Sequence, residues 1–157
     1  MNDSVTTASS TSPQTNPNAA SLLCVDDDAD TLAALKRLFV GAGYRVVVAE
    51  DAAAGLRALE AEPIDLVISD LRLLESGTRF LHQVRERWPD TLRFMLTAEA
   101  DVASILKAIN HGEISRYITK PWNDAELLNI VAEAVQRLAQ KREKRLIADS
   151  ASRRNEE

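Results

Sequence analysis

The chain has 157 residues, 45% of them hydrophobic, and a formal net charge of −5, the profile of one ordinary acidic globular domain with room for a tail at either end. That charge argues against nucleic acid as the partner of the chain as a whole, and no apolar run approaches the roughly 20 residues that span a bilayer. The single cysteine, Cys24, cannot close an intrachain disulfide; set in an apolar run, it reads as a small core residue.

The opening stretch MNDSVTTASSTSPQTNPNAA is rich in Ser, Thr, Asn and Pro and carries no Lys, no Arg and no long apolar run. It lacks the basic and hydrophobic regions of a signal peptide, so residues 1–20 are expected to be a disordered tail on a cytoplasmic protein.

From residue 21 onward, short runs of Val, Ile and Leu alternate with longer segments of helical period. SLLCV (21–25) reads as a buried strand; Leu32, Leu35, Leu38 and Phe39 then share one helical face, with Gly41 and Gly43 as stops. YRVVVA is a second strand, and Ala52, Leu56 and Leu59 mark a short helix ending near Pro63. IDLVIS (64–69) is a third strand, followed by a helix lined by Phe80, Leu81, Val84 and Trp88 and stopped by Pro89. LRFMLT (92–97) is a fourth, and Val102, Ile105, Leu106 and Ile109 form a helix face capped at Gly112. RYIT (116–119) is a fifth, and a long helix starts near Asn123.

Five such units predict an α/β fold: a doubly wound, five-stranded parallel sheet with helices on both faces. Right-handed crossovers place all the carboxyl ends of the strands on one edge, where open α/β sheets bind ligands. Asp26 and Asp27 follow the first strand, Asp70 the third and Lys120 the fifth, while Thr97 ends the fourth. Carboxylates gathered at one edge repel one another unless a hard cation sits among them, and Mg²⁺ takes oxygen ligands. A metal beside an ionised carboxylate, with a lysine and a hydroxyl nearby, suits phosphoryl transfer through an aspartyl phosphate.

The stretches LLCVDDD, DLVISDLR, MLTAEAD and RYITKPW, in this order and spacing, resemble the receiver domain of two-component response regulators over residues 21 to about 137. The resemblance implies a flavodoxin-like strand order 2-1-3-4-5, with Asp70 as phosphoacceptor. It implies Mg²⁺ bound directly by Asp27, through water by Asp26, and by the backbone carbonyl of Arg72. Lys120 would pair with the phosphoryl group, Thr97 would turn its hydroxyl toward it, and Tyr117 would move inward as a switch. The Lys120–Pro121 bond is expected to be cis, and Pro121 disfavours the α region for Lys120. The implied donor is a histidine kinase or histidine phosphotransfer protein. The implied output is a downstream protein, an output domain absent from this chain, or a homodimer favoured by phosphorylation.

Where the family commonly carries Met-Pro after the acceptor, this chain has Leu73 and Leu74, and the loop is one residue short before Phe80. The loop presenting the Arg72 carbonyl is therefore expected to be looser, and Arg72 and Glu99 hold positions that influence phosphoryl hydrolysis in the family. AINHGEISRYITKPWNDAEL resembles receivers that precede cyclic-di-GMP phosphodiesterases of the HD-GYP type. No helix-turn-helix pattern for a DNA-binding output is visible.

Blander readings hold elsewhere. Asp28 and Asp30 read as helix-start residues, His82 and His111 as solvated surface, and Trp88 and Trp122 as packing residues. A calcium loop starting at Asp26 fails because Thr31 and Arg37 stand where Gly and Glu are needed, and an Asp-x-Asp-x-Thr/Val phosphohydrolase opening fails at Asp30. Residues 138–157 read as a charged helical extension or linker that frays. Three functions follow: a phosphorylatable receiver, not an enzyme with an external substrate; a non-switching pseudo-receiver that serves as an interaction module; and a Mg²⁺-dependent phosphohydrolase, for which no cap domain or second acid is seen.

Overall fold

The computed structural model describes residues 19–70, 74–98, 102–112 and 114–156. The first apolar run forms β1 (Ser21–Val25), buried along its whole length. It leads to α1 (Ala29–Gly41), β2 (Arg45–Ala49), α2 (Ala52–Ala61), β3 (Leu66–Asp70) and α3 (Leu74–Arg87). β4 (Leu92–Thr97), α4 (Val102–Asn110), β5 (Arg116–Thr119) and α5 (Asp124–Glu156) complete the chain. All pairings are parallel, and the sheet order is β2-β1-β3-β4-β5, as the resemblance implies.

Alternation along each strand sends successive side chains to opposite faces. Leu22, Cys24, Leu66, Ile68, Phe94 and Leu96 pack against α1 and α5 through Leu32, Leu35, Phe39, Leu127 and Val131. Leu23, Val25, Val67 and Met95 face the other way, against Leu59 of α2, Phe80, Leu81 and Val84 of α3, and Ile105 of α4. Cys24 lies wholly within the first layer, and its burial pushes the thiol up to about 12. The small-core reading of this residue holds.

Local signals set the element ends. The Asp28 carboxylate caps α1, accepting from the Asp30 amide at 3.2 Å and from the Thr31 hydroxyl at 2.8 Å. Asp51 caps α2 by accepting from the Ala54 amide at 2.8 Å. Gly43, with φ +97°, makes the turn after α1. The Asn123 side chain caps α5, accepting from the Glu126 amide at 3.0 Å.

β3 differs from the sequence expectation, beginning at Leu66 rather than Ile64: the Asp65 carboxylate takes the Ser21 amide at 2.8 Å, and the Ile64 carbonyl takes the Thr91 hydroxyl at 2.8 Å, so these residues form a polar brace at the sheet's lower rim. Ile64 is still buried. The last helix runs to Glu156, with Arg142 reaching Asp65 at 2.7 Å and Arg145 reaching Asp90 at 3.0 Å. Leu146 and Ile147 are exposed on that extension. No helix among the described residues is long and apolar enough to cross a membrane.

Candidate functional site

At the carboxyl edge of the sheet the chain stops being apolar and becomes acidic within one residue. Asp26 directly follows β1, held there by its amide, which donates to the Ala49 carbonyl at 3.1 Å. Asp70 is the last residue of β3, in register with Leu96 of β4. Thr97 closes β4 opposite Thr119, and its carbonyl accepts the Lys120 amide at 2.8 Å. Asp26, Asp70 and Thr97 are each no more than 2% exposed, whereas Asp27 is exposed.

Sequence reasoning named these residues separately; the topology brings them together. One carboxylate oxygen from each of Asp26, Asp27 and Asp70 lies within 4.8 Å of the others. The Lys120 ammonium reaches into the group, 2.8 Å from Asp26 Oδ2 and 3.4 Å from Asp70 Oδ2. Its peptide bond to Pro121 is cis, as expected. Three carboxylates, one of them exposed, form an all-oxygen donor set that fits a hard cation such as Mg²⁺.

Asp26 carries the strain of this crowding. Burial pushes its carboxyl above the ordinary carboxylate value, opposed by the hydrogen bonds from Lys120 and from the Asp28 amide, and the nearby Asp70 charge adds to the rise. The Asp28 amide lies 2.8 Å from Asp26 Oδ1. This second tie was missed in reading the sequence, although an aspartate bonding the backbone two residues on is the ordinary Asx-turn pattern. Both oxygens of Asp26 thus already accept hydrogen bonds.

Tyr117 lies on β5, 45% exposed, next to buried Ile118. It lines a groove of about 640 Å³ between α4, β5 and α5, with Ile109, Trp122 and Ile130 among its walls. Arg72, whose carbonyl is expected among the metal ligands, and Glu99 lie outside the described residues. His82 and His111 are exposed.

The family model for the response regulator receiver domain matches residues 22–132. The chain belongs to this receiver family. It is accordingly a receiver domain of the two-component systems, a family that generally binds Mg²⁺ at an acidic pocket and works with histidine kinases or phosphotransfer proteins and with output domains. Among similar proteins, the hydrogenase transcriptional regulatory protein HoxA of Bradyrhizobium diazoefficiens is 35% identical over 116 residues, covering 73% of this chain and 24% of that protein. The transcriptional regulatory protein GlrR of Escherichia coli is 36% identical over 121 residues, covering 76% of this chain and 27% of that one. The chain thus spans about a quarter of the length of these relatives. The crystal structure of the signal receiver domain of an HD domain-containing protein from Pseudomonas fluorescens superposes with a TM-score of 0.74 at 35% identity, covering 78% of this chain and 99% of that one.

Proposed function

We propose that this receiver takes a phosphoryl group from a phosphohistidine of a kinase or phosphotransfer protein onto Asp70, in the cytoplasm, and that the acyl phosphate reshapes the α4–β5–α5 surface for a protein partner. The observation that carries the reading is the placement of Asp70: a buried carboxylate at the sheet's edge, 3.4 Å from Lys120 and beside two further carboxylates.

A carboxylate oxygen of Asp70 attacks phosphorus in line with the donor's P–N bond, which breaks as the Asp70 O–P bond forms; the electron pair leaves on the imidazole nitrogen. Lys120 supplies the charge that the phosphoryl oxygens need, moving its salt bridge from the carboxylates to the phosphoryl group. The buried Thr97 hydroxyl stands on the neighbouring strand end to donate to a phosphoryl oxygen. Asp27 and Asp70 would hold Mg²⁺, with Asp26 acting through water, and the bound ion would supply the neutralisation that a phosphate needs to approach three carboxylates. The outer role of Asp26 is supported by its two occupied oxygens. Tyr117, exposed on β5 beside the groove, is positioned to turn inward once Thr97 reorients.

This reading requires no external substrate and no turnover beyond loss of the phosphate to water. The test is intact mass after incubation with acetyl phosphate and Mg²⁺. One phosphate adduct is expected on the native chain and none on Asp70→Asn or in chelator. A native chain that neither gains the adduct nor binds beryllofluoride with Mg²⁺, under conditions that label another receiver, is a pseudo-receiver that keeps the fold as an interaction scaffold.

A further inference from the structure

Among the described side chains of α4, Ile105 is buried, whereas Leu106 is 51% and Ile109 38% exposed. The exit from its C-terminus is fastened from two other elements. Arg85 of α3 donates from Nη1 to the His111 carbonyl. Arg93 of β4 donates from Nη2 to the Gly112 carbonyl at 3.1 Å and from Nη1 to the Thr91 carbonyl at 2.9 Å. Thr91 is itself buried, its hydroxyl bonded to the Ile64 carbonyl at 2.8 Å. The chain beyond the turn is held as well: Ile114 is buried, and the Ser115 amide and hydroxyl both donate to the Arg93 carbonyl, at 2.9 and 3.1 Å.

Gly112 makes the clamp possible. It ends the helix at φ +75°, and a Cβ there would stand 3.2 Å from Arg85 Cζ, so the guanidinium lies directly against the glycine backbone. Two cations at a helix C-terminus also meet the negative end of its dipole.

We propose that Arg85 and Arg93 are positioning residues that make the C-terminal exit of α4 a fixed pivot, so that the helix moves by swinging its N-terminal half while His111, Gly112, Ile114 and Ser115 stay in place. This goes beyond the receiver reading and depends on it only for the stimulus: the pivot is a property of the free protein. Because the tyrosine groove lies between α4 and α5, a swing about this end changes its width without displacing Ile109 far from β5.

The test uses nitroxide pairs on the full chain, with Gln136→Cys on α5 paired with Ala103→Cys or with Asn110→Cys; buried Cys24 is protected from labelling. In the free protein the 110–136 distance distribution is expected to be narrow, and to broaden at least twofold in Arg85→Met/Arg93→Met. Gly112→Ala, which displaces the Arg85 guanidinium without deleting it, is expected to broaden it too. Beryllofluoride with Mg²⁺ is expected to shift the 103–136 distance by at least three times the shift of the 110–136 distance. An unchanged 110–136 distribution in both variants overturns the pivot, as does an equal beryllofluoride shift at the two ends. If beryllofluoride fails to bind, the receiver reading fails, and the free-protein comparison still decides the clamp.

Discussion

The Lys120 ammonium lies closer to Asp26, at 2.8 Å, than to Asp70, at 3.4 Å, so the lysine mainly offsets a carboxylate other than the proposed acceptor. Burial raises the Asp26 carboxyl in the folded protein above its ordinary value. Between the unfolded and folded values the folded state holds a proton that the unfolded chain has released. In Mg²⁺-free protein, this group's contribution to stability therefore falls as pH rises from about 4 upward, and its cost is fully present above the folded value. Asp26→Asn is expected to flatten that slope and, in chelator at pH 7, to raise the melting temperature by about 2–4 °C. Mg²⁺ at a hundredfold excess over its dissociation constant should stabilise the native chain by about 2.7 kcal/mol and the variant by much less. Thermal melts across pH with and without chelator check this; a variant that melts lower than the native chain in chelator would show that the carboxylate is a net stabiliser.

Gly55 illustrates a packing demand set by another element. It sits inside α2, where alanine ordinarily gains about 1 kcal/mol. A Cβ at this position would stand 3.0 Å from two ring carbons of Phe80 and 3.3 Å from Val25 Cγ2, and Phe80 is fully buried, with nowhere to withdraw. Overpacking of this kind costs about 1–3 kcal/mol, so Gly55→Ala is expected to lose about 1 kcal/mol net in urea unfolding. Gly41→Ala, where nothing lies within 4 Å, is the control and should stay within about 0.5 kcal/mol of the native chain. A Gly55 variant at least as stable as the native chain would mean that α2 slides to make room.

These cases mark what the sequence could and could not reveal. β1, β4 and β5 keep their expected bounds because each ends at a polar or charged residue, and that same break is what delivers Asp26, Thr97 and Lys120 to one edge. β3 was started two residues early because Ile64 is apolar and buried like a strand residue, while the interactions that remove it from the ladder come from Ser21 and Thr91, far along the chain. The preference of Lys120 for Asp26 spans 94 residues and depends on sub-ångström differences at the edge. Arg85 and Arg93 carry no periodicity or motif, so an exposed arginine that clamps a helix end looks like any other. The ion pairs of the charged end of α5 are likewise invisible in the sequence, because Asp65 and Asp90 lie on other elements.

Ser69, beside the proposed acceptor on β3, is fully buried, and its hydroxyl oxygen has no hydrogen-bond partner among the described residues. It lies between Val25 and Met95 in the ladder, an apolar setting in which an unsatisfied hydroxyl costs about 1–3 kcal/mol. Ser69→Ala is expected to raise the urea midpoint, by about 1 kcal/mol in free energy, at an unchanged slope, and to leave Asp70 labelling by acetyl phosphate intact. A loss of stability instead would point to an ordered water completing the hydroxyl's bonding.

The extension of α5 rests on two exposed ion pairs, Arg142 with Asp65 and Arg145 with Asp90. Such pairs contribute at most about 1 kcal/mol each to global stability, so Arg142→Ala/Arg145→Ala should barely move the unfolding midpoint. Their effect is local: they fix the direction in which α5 leaves the domain, because Leu138 is the last of its residues buried in the core. Amide exchange over residues 139–150 is therefore expected to accelerate several-fold in the double variant, and also in the native chain at 1 M salt, where screening shortens to about 3 Å. Acid should act the same way with a defined sign. The Arg145 hydrogen bond holds the Asp90 carboxyl below its ordinary value, so this tether is fully present above about pH 4 and is lost as pH falls through the lowered folded value. Faster exchange at low pH in the native chain, after correction for intrinsic rates, with no further change in the double variant, assigns the direction of α5 to these two arginines; equal acid sensitivity in both chains assigns it to the helix itself.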